Sequence, residues 1–285
     1  MIRQVSDIMD KNFLTIQALD CVSVIRNLAT ENKLEYFPVY EDNSIIGVVT
    51  YKELIIAHPN RIAADAMTTD FVCIKAYMPV WEVKDLFEQQ KVNCCVVVDN
   101  NLVVGIVTPL VLKIELGKHI DLLTGLYKND YLFFNAGELL KSQNDISVVF
   151  IDIDNFGIID KEYGHIFGDK VLKEIALTLN AAIPKKTFLC RFGGDEFVLL
   201  VPFKAEVAKK VTENLLSVIA AKAFSNGLKI TVSAGISGGK RSNRRITDIY
   251  STVSNLINIA SLACTEAKKS DNSLCIKLGE ESDIA

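Results

Sequence analysis

Hydrophobic positions in residues 1–112 recur with their polar neighbours at a fixed spacing. Met9, Phe13, Ile16, Val22, Leu28 and Lys33 are matched fifty-eight positions later by Met67, Phe71, Ile74, Val80, Leu86 and Lys91. The match runs without a gap to Gly47 with Gly105, Val49 with Val107 and Thr50 with Thr108. Each copy predicts a short strand, a stretch of helical period, an apolar strand, a polar turn and a second apolar strand ending in Thr. The turns Glu41-Asp42-Asn43-Ser44 and Asp99-Asn100-Asn101 make the end of each copy a β-hairpin. So small a unit buries little alone, and two copies packed together share a core. The pattern therefore predicts repeats over 1–58 and 59–115. A connecting helix is predicted over 109–120, with Pro109 in its first turn and Gly117 weakening it. Such a helix either transmits rotation between the two halves of the chain or acts as a passive spacer.

From Asp121 the period changes repeatedly. Helices are predicted over 131–140, 168–183, 205–224 and 246–269, and strands over 146–153, 187–192, 196–202, 228–236 and 273–278. The strands 187–192 and 196–202 join across Gly193-Gly194, a favoured hairpin dipeptide. The order predicts one further domain over 121–285, of α/β or α+β class, with a mostly antiparallel sheet and helices packed on it.

A length of 285 residues suits two domains, and 49% hydrophobic with 23% charged residues is the balance of a globular chain. A net charge of −4 argues against broad nucleic-acid binding. The longest apolar stretch, 102–112, is too short to span a bilayer and contains Pro109, so no membrane segment is expected. Asp7 and Asp10 interrupt the start before any signal-like run. Seven cysteines without CxxC spacing fit reduced thiols, and three scattered histidines do not suggest zinc. These features point to a soluble cytoplasmic protein.

Two segments carry candidate chemistry. Asp152 and Asp154 flank Ile153 at the end of an apolar strand, where period-two alternation sends both acids to one side. Such a pair is either a hard-cation site for Mg²⁺ or a solvated strand end. In Gly193-Gly194-Asp195-Glu196 the glycines permit a tight reversal and let a phosphate approach the backbone, although an ordinary solvent turn has the same composition. Cys94-Cys95 reads as core packing, and His58 and His119 as surface residues. The basic run Lys240, Arg241, Arg244 and Arg245 reads as a solvated loop or an anion contact.

Phe37-Pro38-Val39-Tyr40, Ile45-Ile46-Gly47-Val48-Val49-Thr50 and their counterparts resemble a tandem pair of cystathionine-β-synthase (CBS) domains, a Bateman module, over 1–115. The resemblance implies AMP or ATP in the cleft between repeats, with Thr50 and Glu53 on ribose and phosphate. In the second copy Thr108 is followed by Val111, which cannot accept a ribose hydrogen bond, so at most one site is intact. A ligand-free dimerisation module is the other reading.

Arg191 to Phe197 resembles the signature of GGDEF domains, the diguanylate cyclases. Asp121-Leu122-Leu123-Thr124-Gly125-Leu126, Asp152-Ile153-Asp154-Asn155-Phe156, Tyr163-Gly164-His165, Gly168-Asp169 and Ala267-Lys268-Lys269 are similar to that family's other motifs, in its order. The resemblance implies a polymerase-palm, nucleotide-cyclase-like sheet that condenses two GTP into cyclic di-GMP with release of two pyrophosphates. By carry-over, Asp152, the backbone carbonyl of Ile153 and Glu196 hold Mg²⁺ or Mn²⁺, and Asp195 is a further ligand or helps deprotonate the 3′-hydroxyl. Gly193 and Gly194 line the phosphates, and Lys268 belongs to the same site. Asp169 accepts from the guanine edge, and His165 supports the pocket or contacts the base. Each domain holds one GTP, which implies a homodimer.

Several positions depart from the family pattern. Gly157 stands where a phosphate-contacting Lys is usual, Asp160 where a guanine-reading Asn is usual, and Asn272 where an Arg is usual. The opening turn continues Tyr127-Lys128-Asn129 where the family has Asn-Arg at the last two positions. Pro184-Lys185-Lys186-Thr187 lacks the Arg-x-x-Asp of product inhibition. Losing two cationic contacts and gaining an anion weakens GTP binding by several kcal/mol, at roughly 1.5 to 3 kcal/mol per charged hydrogen bond. The alternative expectation is therefore a weak or inactive domain serving as a GTP-binding or protein-binding regulator, and Asp160 opens the further option of a changed base preference.

Overall fold

A computed structural model of the chain describes residues 3–142, 144–238, 248–270 and 272–277. The basic run 240–245 lies outside the described residues. The chain divides into two compact units, Met1–Lys118 and His119–Ala285. Among the described residues no helix is long and apolar enough to cross a membrane.

The first unit follows the fifty-eight-residue period. The first copy contributes β1 (Ile16–Gln17), α1 (Val22–Asn32), β2 (Tyr36–Glu41), β3 (Ser44–Thr50) and α2 (Tyr51–Ile56). After α3 (Ala63–Ala66), the second copy contributes β4 (Phe71–Lys75), α4 (Val80–Gln90), β5 (Cys94–Asp99), β6 (Leu102–Val107) and α5 (Pro109–Gly117). Each copy forms a three-stranded sheet, β1-β2-β3 and β4-β5-β6. Both hairpin turns place two residues at positive φ, Asp42 and Asn43 in one and Asn100 and Asn101 in the other, the backbone that a twisted two-residue turn needs.

The copies complete each other. Thr68 of the second exchanges two backbone hydrogen bonds with Val48 of the first, and Asp10 of the first does the same with Ile106 of the second. Met67 lies on the bare backbone of Gly47, and Met9 on that of Gly105, where an added Cβ would meet sulfur at 2.4 and 2.7 Å. The connecting helix ends at Gly117 rather than at Ile120. Ile120 instead forms an antiparallel bridge with Tyr127 in the second unit.

The second unit contains α6 (Asn129–Lys141), β7 (Ser147–Ile153), α7 (Phe156–Tyr163), α8 (His165–Ala182), β8 (Phe188–Gly193), β9 (Glu196–Val201), α9 (Ala205–Ala221), β10 (Val232–Gly238), α10 (Ile249–Ala267) and β11 (Leu274–Lys277). Its sheet runs β11-β10-β7-β9-β8, and every neighbouring pair except β10–β11 is antiparallel. Alternation sorts β7 into two cores. Val149, Ile151 and Ile153 pack with Val171, Ile175 and Leu179 of α8 and Leu215 and Ile219 of α9. Val148 and Phe150 pack with Leu132 and Ala136 of α6 and Val253, Leu256 and Ala260 of α10. Helices therefore cover both faces, and chemistry is confined to the sheet's ends.

Four further elements differ from the sequence expectation. Residues 156–163 form a helix where only a binding segment was read, and α8 starts at His165, ahead of Gly168. β10 starts at Val232 rather than at 228, because Asn226 and Gly227 take positive φ and Phe224 N–H bonds to the Leu228 carbonyl, closing a turn. α10 starts at Ile249, capped by the Asp248 carboxylate accepting from Ser251 N–H at 3.1 Å; residue 246 lies outside the described residues.

Gly235 lets α10 lie directly on β10. A Cβ there would stand 2.0 Å from the Ala260 carbonyl oxygen and 2.2 Å from the Cys264 nitrogen, both main-chain atoms that cannot swing aside. Gly235→Ala should destabilise the second unit by about 3 kcal/mol, the upper range of overpacking. Urea unfolding checks this, and a cost under about 1 kcal/mol would show that α10 can slide.

Candidate functional site

The acidic residues of β7 and β9 share one face of the sheet for a simple reason. Val148, Phe150 and Asp152 alternate on the side packed by α6 and α10, and the apolar run stops where the strand leaves the core. Register places Glu196 of β9 opposite Asp152, and Ser233 of β10 opposite it on the other side. Cross-strand partners share a face, so Glu196, Asp152 and Ser233 form one row. Lys268, just past the end of α10, donates from Nζ to Asp152 Oδ1 at 2.5 Å.

Asp154 behaves differently from Asp152. Its two oxygens accept from Thr231 Oγ1 at 2.6 Å and from Ser233 Oγ at 2.7 Å, and its N–H donates to the Thr231 carbonyl. The Asp152–Asp154 pair is thus split into one carboxylate facing the acidic row and one held by hydroxyls.

The row is electrostatically unfavourable by itself. Burial pushes the Asp152 carboxyl above its usual range; Lys268 opposes this, while Asp195 and Asp154 add to it. Burial also raises Glu196, and the charges of Asp152 and Asp195 raise it further. Lys268 is held above the ordinary lysine value: burial pulls it down, but its bond to Asp152 and the surrounding acids outweigh that. Burial also raises Cys264, beneath the row, to about 12, so its thiol stays protonated. Three carboxylates against one ammonium leave surplus negative charge that a cation would relieve. Among the described residues no three His, Cys, Asp or Glu side chains gather into a ready-made metal cage. Asp152 and Glu196, facing each other across β7 and β9, are the two carboxylates that could hold a hard cation, which is usually bound by one or two carboxylates with its remaining positions filled by other oxygens. Ile153, whose carbonyl is the expected backbone ligand, is the last residue of β7.

The Gly-Gly turn is held by a clamp that the motif alone does not reveal. Gly194 takes φ +48°, a region that glycine enters without a Cβ penalty. Arg191 donates from Nε and Nη2 to the Gly194 carbonyl at 2.9 and 2.7 Å, and from Nη1 to Asp121 Oδ1 at 2.9 Å. The same Asp121 oxygen accepts from Thr124 N–H at 2.8 Å and Thr124 Oγ1 at 2.6 Å. The opening turn is thereby tied to the turn that presents Asp195 and Glu196.

Burial would raise the Asp121 carboxyl, but the bonds from Thr124 and Arg191 and the Arg191 charge bring it below its usual range. A depressed folded value contributes stability above the unfolded carboxylate value, and that stability is lost as pH falls through the folded value. Asp121→Ala should cost about 1.5 to 3 kcal/mol at neutral pH, as expected for hydrogen bonds to a charged group. The difference from wild type should shrink to near zero in strong acid, and unfolding curves across pH would show a pH-independent difference if only packing were lost.

A second group sits where α7 meets α8. Gly164, at φ +83°, separates the two helices. His165 Nδ1 lies 2.8 Å from Asp160 Oδ2, and Asp160 Oδ1 occupies the space that a Cβ on Gly168 would need. His165 is 90% exposed and Asp160 24% exposed. Asp169 is exposed at the start of α8. No hydrogen bond among the described residues joins this group to the acidic row. The structure thus brings Asp152, Asp195, Glu196 and Lys268 into one electrostatic cluster, and Asp160 and His165 into a separate pair.

In the first unit Thr50 caps α2. Its N–H and hydroxyl both donate to Glu53 Oε2, a capping box that uses both predicted ligand residues. Thr108 instead accepts from Val111 N–H at 3.2 Å. His119 is not the surface residue expected of it: its side chain is 16% exposed and its Nδ1 is paired with Asp130. Neither this pair nor the Arg191 clamp follows from the sequence pattern; charged residues at the ends of predicted elements were the available signal.

Comparison with known proteins bears on the same segments. A family model described as "Diguanylate cyclase, GGDEF domain" matches residues 118–273, and the CBS domain model matches 5–59 and 63–110. The chain is 43% identical over 96 residues to the diguanylate cyclase DgcP of Pseudomonas aeruginosa, covering 32% of this chain and 14% of that one. It is 28% identical over 186 residues to the probable diguanylate cyclase DgcF of Escherichia coli O157:H7, covering 62% of this chain and 39% of that one. The chain thus spans well under half the length of these curated relatives. Among solved structures, diguanylate cyclase SiaD, in complex with its activator SiaC from Pseudomonas aeruginosa, aligns with TM-score 0.51 at 24% identity over 70% of each chain. At that identity the likeness is one of fold.

Proposed function

The chain belongs to the GGDEF-domain family of diguanylate cyclases, and from that premise we propose that it condenses two GTP into cyclic di-GMP with release of two pyrophosphates. The observation that carries this reading is the acidic row, in which Glu196 stands opposite Asp152 with Lys268 on Asp152 and both carboxyls raised by burial and mutual charge.

Asp152, Glu196 and the Ile153 carbonyl would hold Mg²⁺ or Mn²⁺. When bound, such an ion would supply charge neutralisation to the attacking and leaving oxygens of an in-line displacement. Asp195, in the turn, adds a third carboxylate as a further ligand or as proton acceptor for the 3′-hydroxyl. The Gly193-Gly194 backbone lets phosphates approach, and Lys268 offsets the acids. Asp160, His165 and Asp169 take the base end, where carboxylates accept from the N–H groups of guanine. Each attacking hydroxyl belongs to the other GTP, so two copies must meet, and a homodimer held by the N-terminal pair supplies that proximity. The CBS pair binds AMP or ATP near Thr50 and Glu53; no described hydrogen bond uses Glu53 Oε1, which is left for a ribose hydroxyl. The reading is of a soluble cytoplasmic signalling protein without nucleic-acid or membrane partners.

Gly157, Asp160 and Asn272 favour a second reading, a nucleotide-binding regulator without turnover. Purified protein incubated with GTP or ATP and Mg²⁺, with and without AMP, separates the two. Cyclic di-GMP by mass spectrometry, abolished by Asp195→Ala, is the expected result. GTP binding without product would establish the regulator.

A further inference from the structure

The start of the second unit is wired to the Gly-Gly turn by a chain of contacts that no motif describes. Lys128 N–H bonds to the His119 carbonyl at 2.9 Å and Asp121 N–H to the Leu126 carbonyl at 2.8 Å, making 119–128 a small hairpin. That hairpin lies along β8: Tyr127 bridges Cys190 in parallel and its carbonyl accepts from Arg191 N–H at 3.0 Å. Arg191 then reaches the Gly194 carbonyl and Asp121. The far end is fixed by a side-chain pair, His119 Nδ1 with Asp130 Oδ2, in which His119 is 16% and Asp130 31% exposed. Asp130 belongs to the first turn of α6. The pair therefore joins the first residue of the unit to a helix packed on the sheet.

We propose that His119 and Asp130 are positioning residues for the Gly193-Gly194 turn: their pair locks the entry hairpin to α6, and the locked hairpin holds Arg191 where it clamps the turn. The effect on turnover rests on the cyclase reading above; the effect on the turn does not. The partner chemistry is specific. A histidine Nδ1–H donates to a carboxylate in either charge state of the ring, and the bond gains charge assistance when the imidazole is protonated. Displacement of His119 along the chain would reach Arg191 through main-chain bonds alone, without any contact to nucleotide.

Hydrogen exchange by mass spectrometry on the full chain tests this. His119→Ala and Asp130→Ala should each speed exchange in peptides covering 190–196 by about tenfold, as expected for loss of a charge-assisted bond that gates local opening. Peptides from the centre of β7 should be unchanged. His119→Asn, whose side-chain N–H₂ falls near the place of Nδ1, should restore most of the protection. If either alanine variant unfolds, Asp130→Asn, which keeps an acceptor oxygen without the charge, is read instead and should give an intermediate rate. In turnover, kcat should fall with KM for GTP unchanged. Wild-type exchange at 190–196 in these variants, even with 119–128 loosened, overturns the inference. Absence of product from wild type would count against the cyclase reading alone, because the exchange experiment needs no turnover.

Discussion

Asp152→Asn should lower Mg²⁺-dependent cyclic di-GMP formation by about 10²- to 10³-fold, the cost of removing one group that stabilises developing charge, while leaving the ligand-free protein at least as stable as wild type. The two effects have opposite sign because Asp152 is held against its own preference. Burial and the neighbouring acids raise its carboxyl above the unfolded value. A raised folded value means that the native state binds the proton more tightly. Its contribution to stability is therefore full below the unfolded value and is lost as pH rises through the folded one. At neutral pH the ionised carboxylate is a net burden on the fold, tolerable because Lys268 lies on it. Asparagine removes the charge but keeps an oxygen that can accept from Lys268, so the ammonium is not orphaned. Wild-type stability should accordingly decline between the ordinary and the raised carboxyl range, and the variant's should decline less. Urea midpoints across pH, beside product formation, measure both halves. A variant that loses stability in step with activity would reassign Asp152 to a structural role.

That opposition was partly legible in the sequence. Two acids leaving a buried strand, and two more after a Gly-Gly turn, announce a charged strand end, and the period of two puts Asp152 on a definite face. What the pattern could not convey was that Asp154 is taken up by Thr231 and Ser233, because those hydroxyls come from the start of β10 and the residue before it, nearly eighty residues away. The repeat was legible for the opposite reason. Fifty-eight-residue spacing is a one-dimensional property, and pairs such as Gly47 with Met67 and Gly105 with Met9 are its three-dimensional image. α7 escaped notice because Gly157 and the glycine at its end break the apolar period. Arg191, Asp121, His119 and Asp130 all lie at or beside the ends of predicted elements, where periodicity says nothing of a side chain's partner. Their roles come from geometry at the ends of elements, where a single hydrogen bond decides and no recurrence marks it.

The departures from the family pattern lead to a gain-of-function expectation. Gly157→Lys combined with Asn272→Arg should tighten GTP binding by about a hundredfold, at roughly 1.5 kcal/mol or more for each charged phosphate contact restored. Both sites can take the larger side chain. A Cβ on Gly157 meets nothing within 4 Å, and Asn272 is exposed, its carbonyl rather than its side chain accepting from Ser270 Oγ. Stability should barely move. Replacing Gly inside a helix gains roughly 0.5 to 1 kcal/mol, whereas a cation in the first turn of α7 loses about 0.3 to 1 kcal/mol to the helix dipole. A change in affinity would therefore not be a disguised change in folding. Arginine at 272 should contribute more than lysine there, since a planar fork can grip a phosphate through two bonds. Titration of a fluorescent GTP analogue at two salt concentrations is the measurement, with steeper salt dependence expected of the variant. Affinity within about threefold of wild type would mean that 157 and 272 do not face the phosphates, and the residue-by-residue transfer of the family's contacts onto this chain would have to be redrawn. Tighter binding without product would leave Asp160 as the remaining obstacle, and Asp160→Asn on the same background would then decide between a weakened cyclase and a nucleotide-binding regulator.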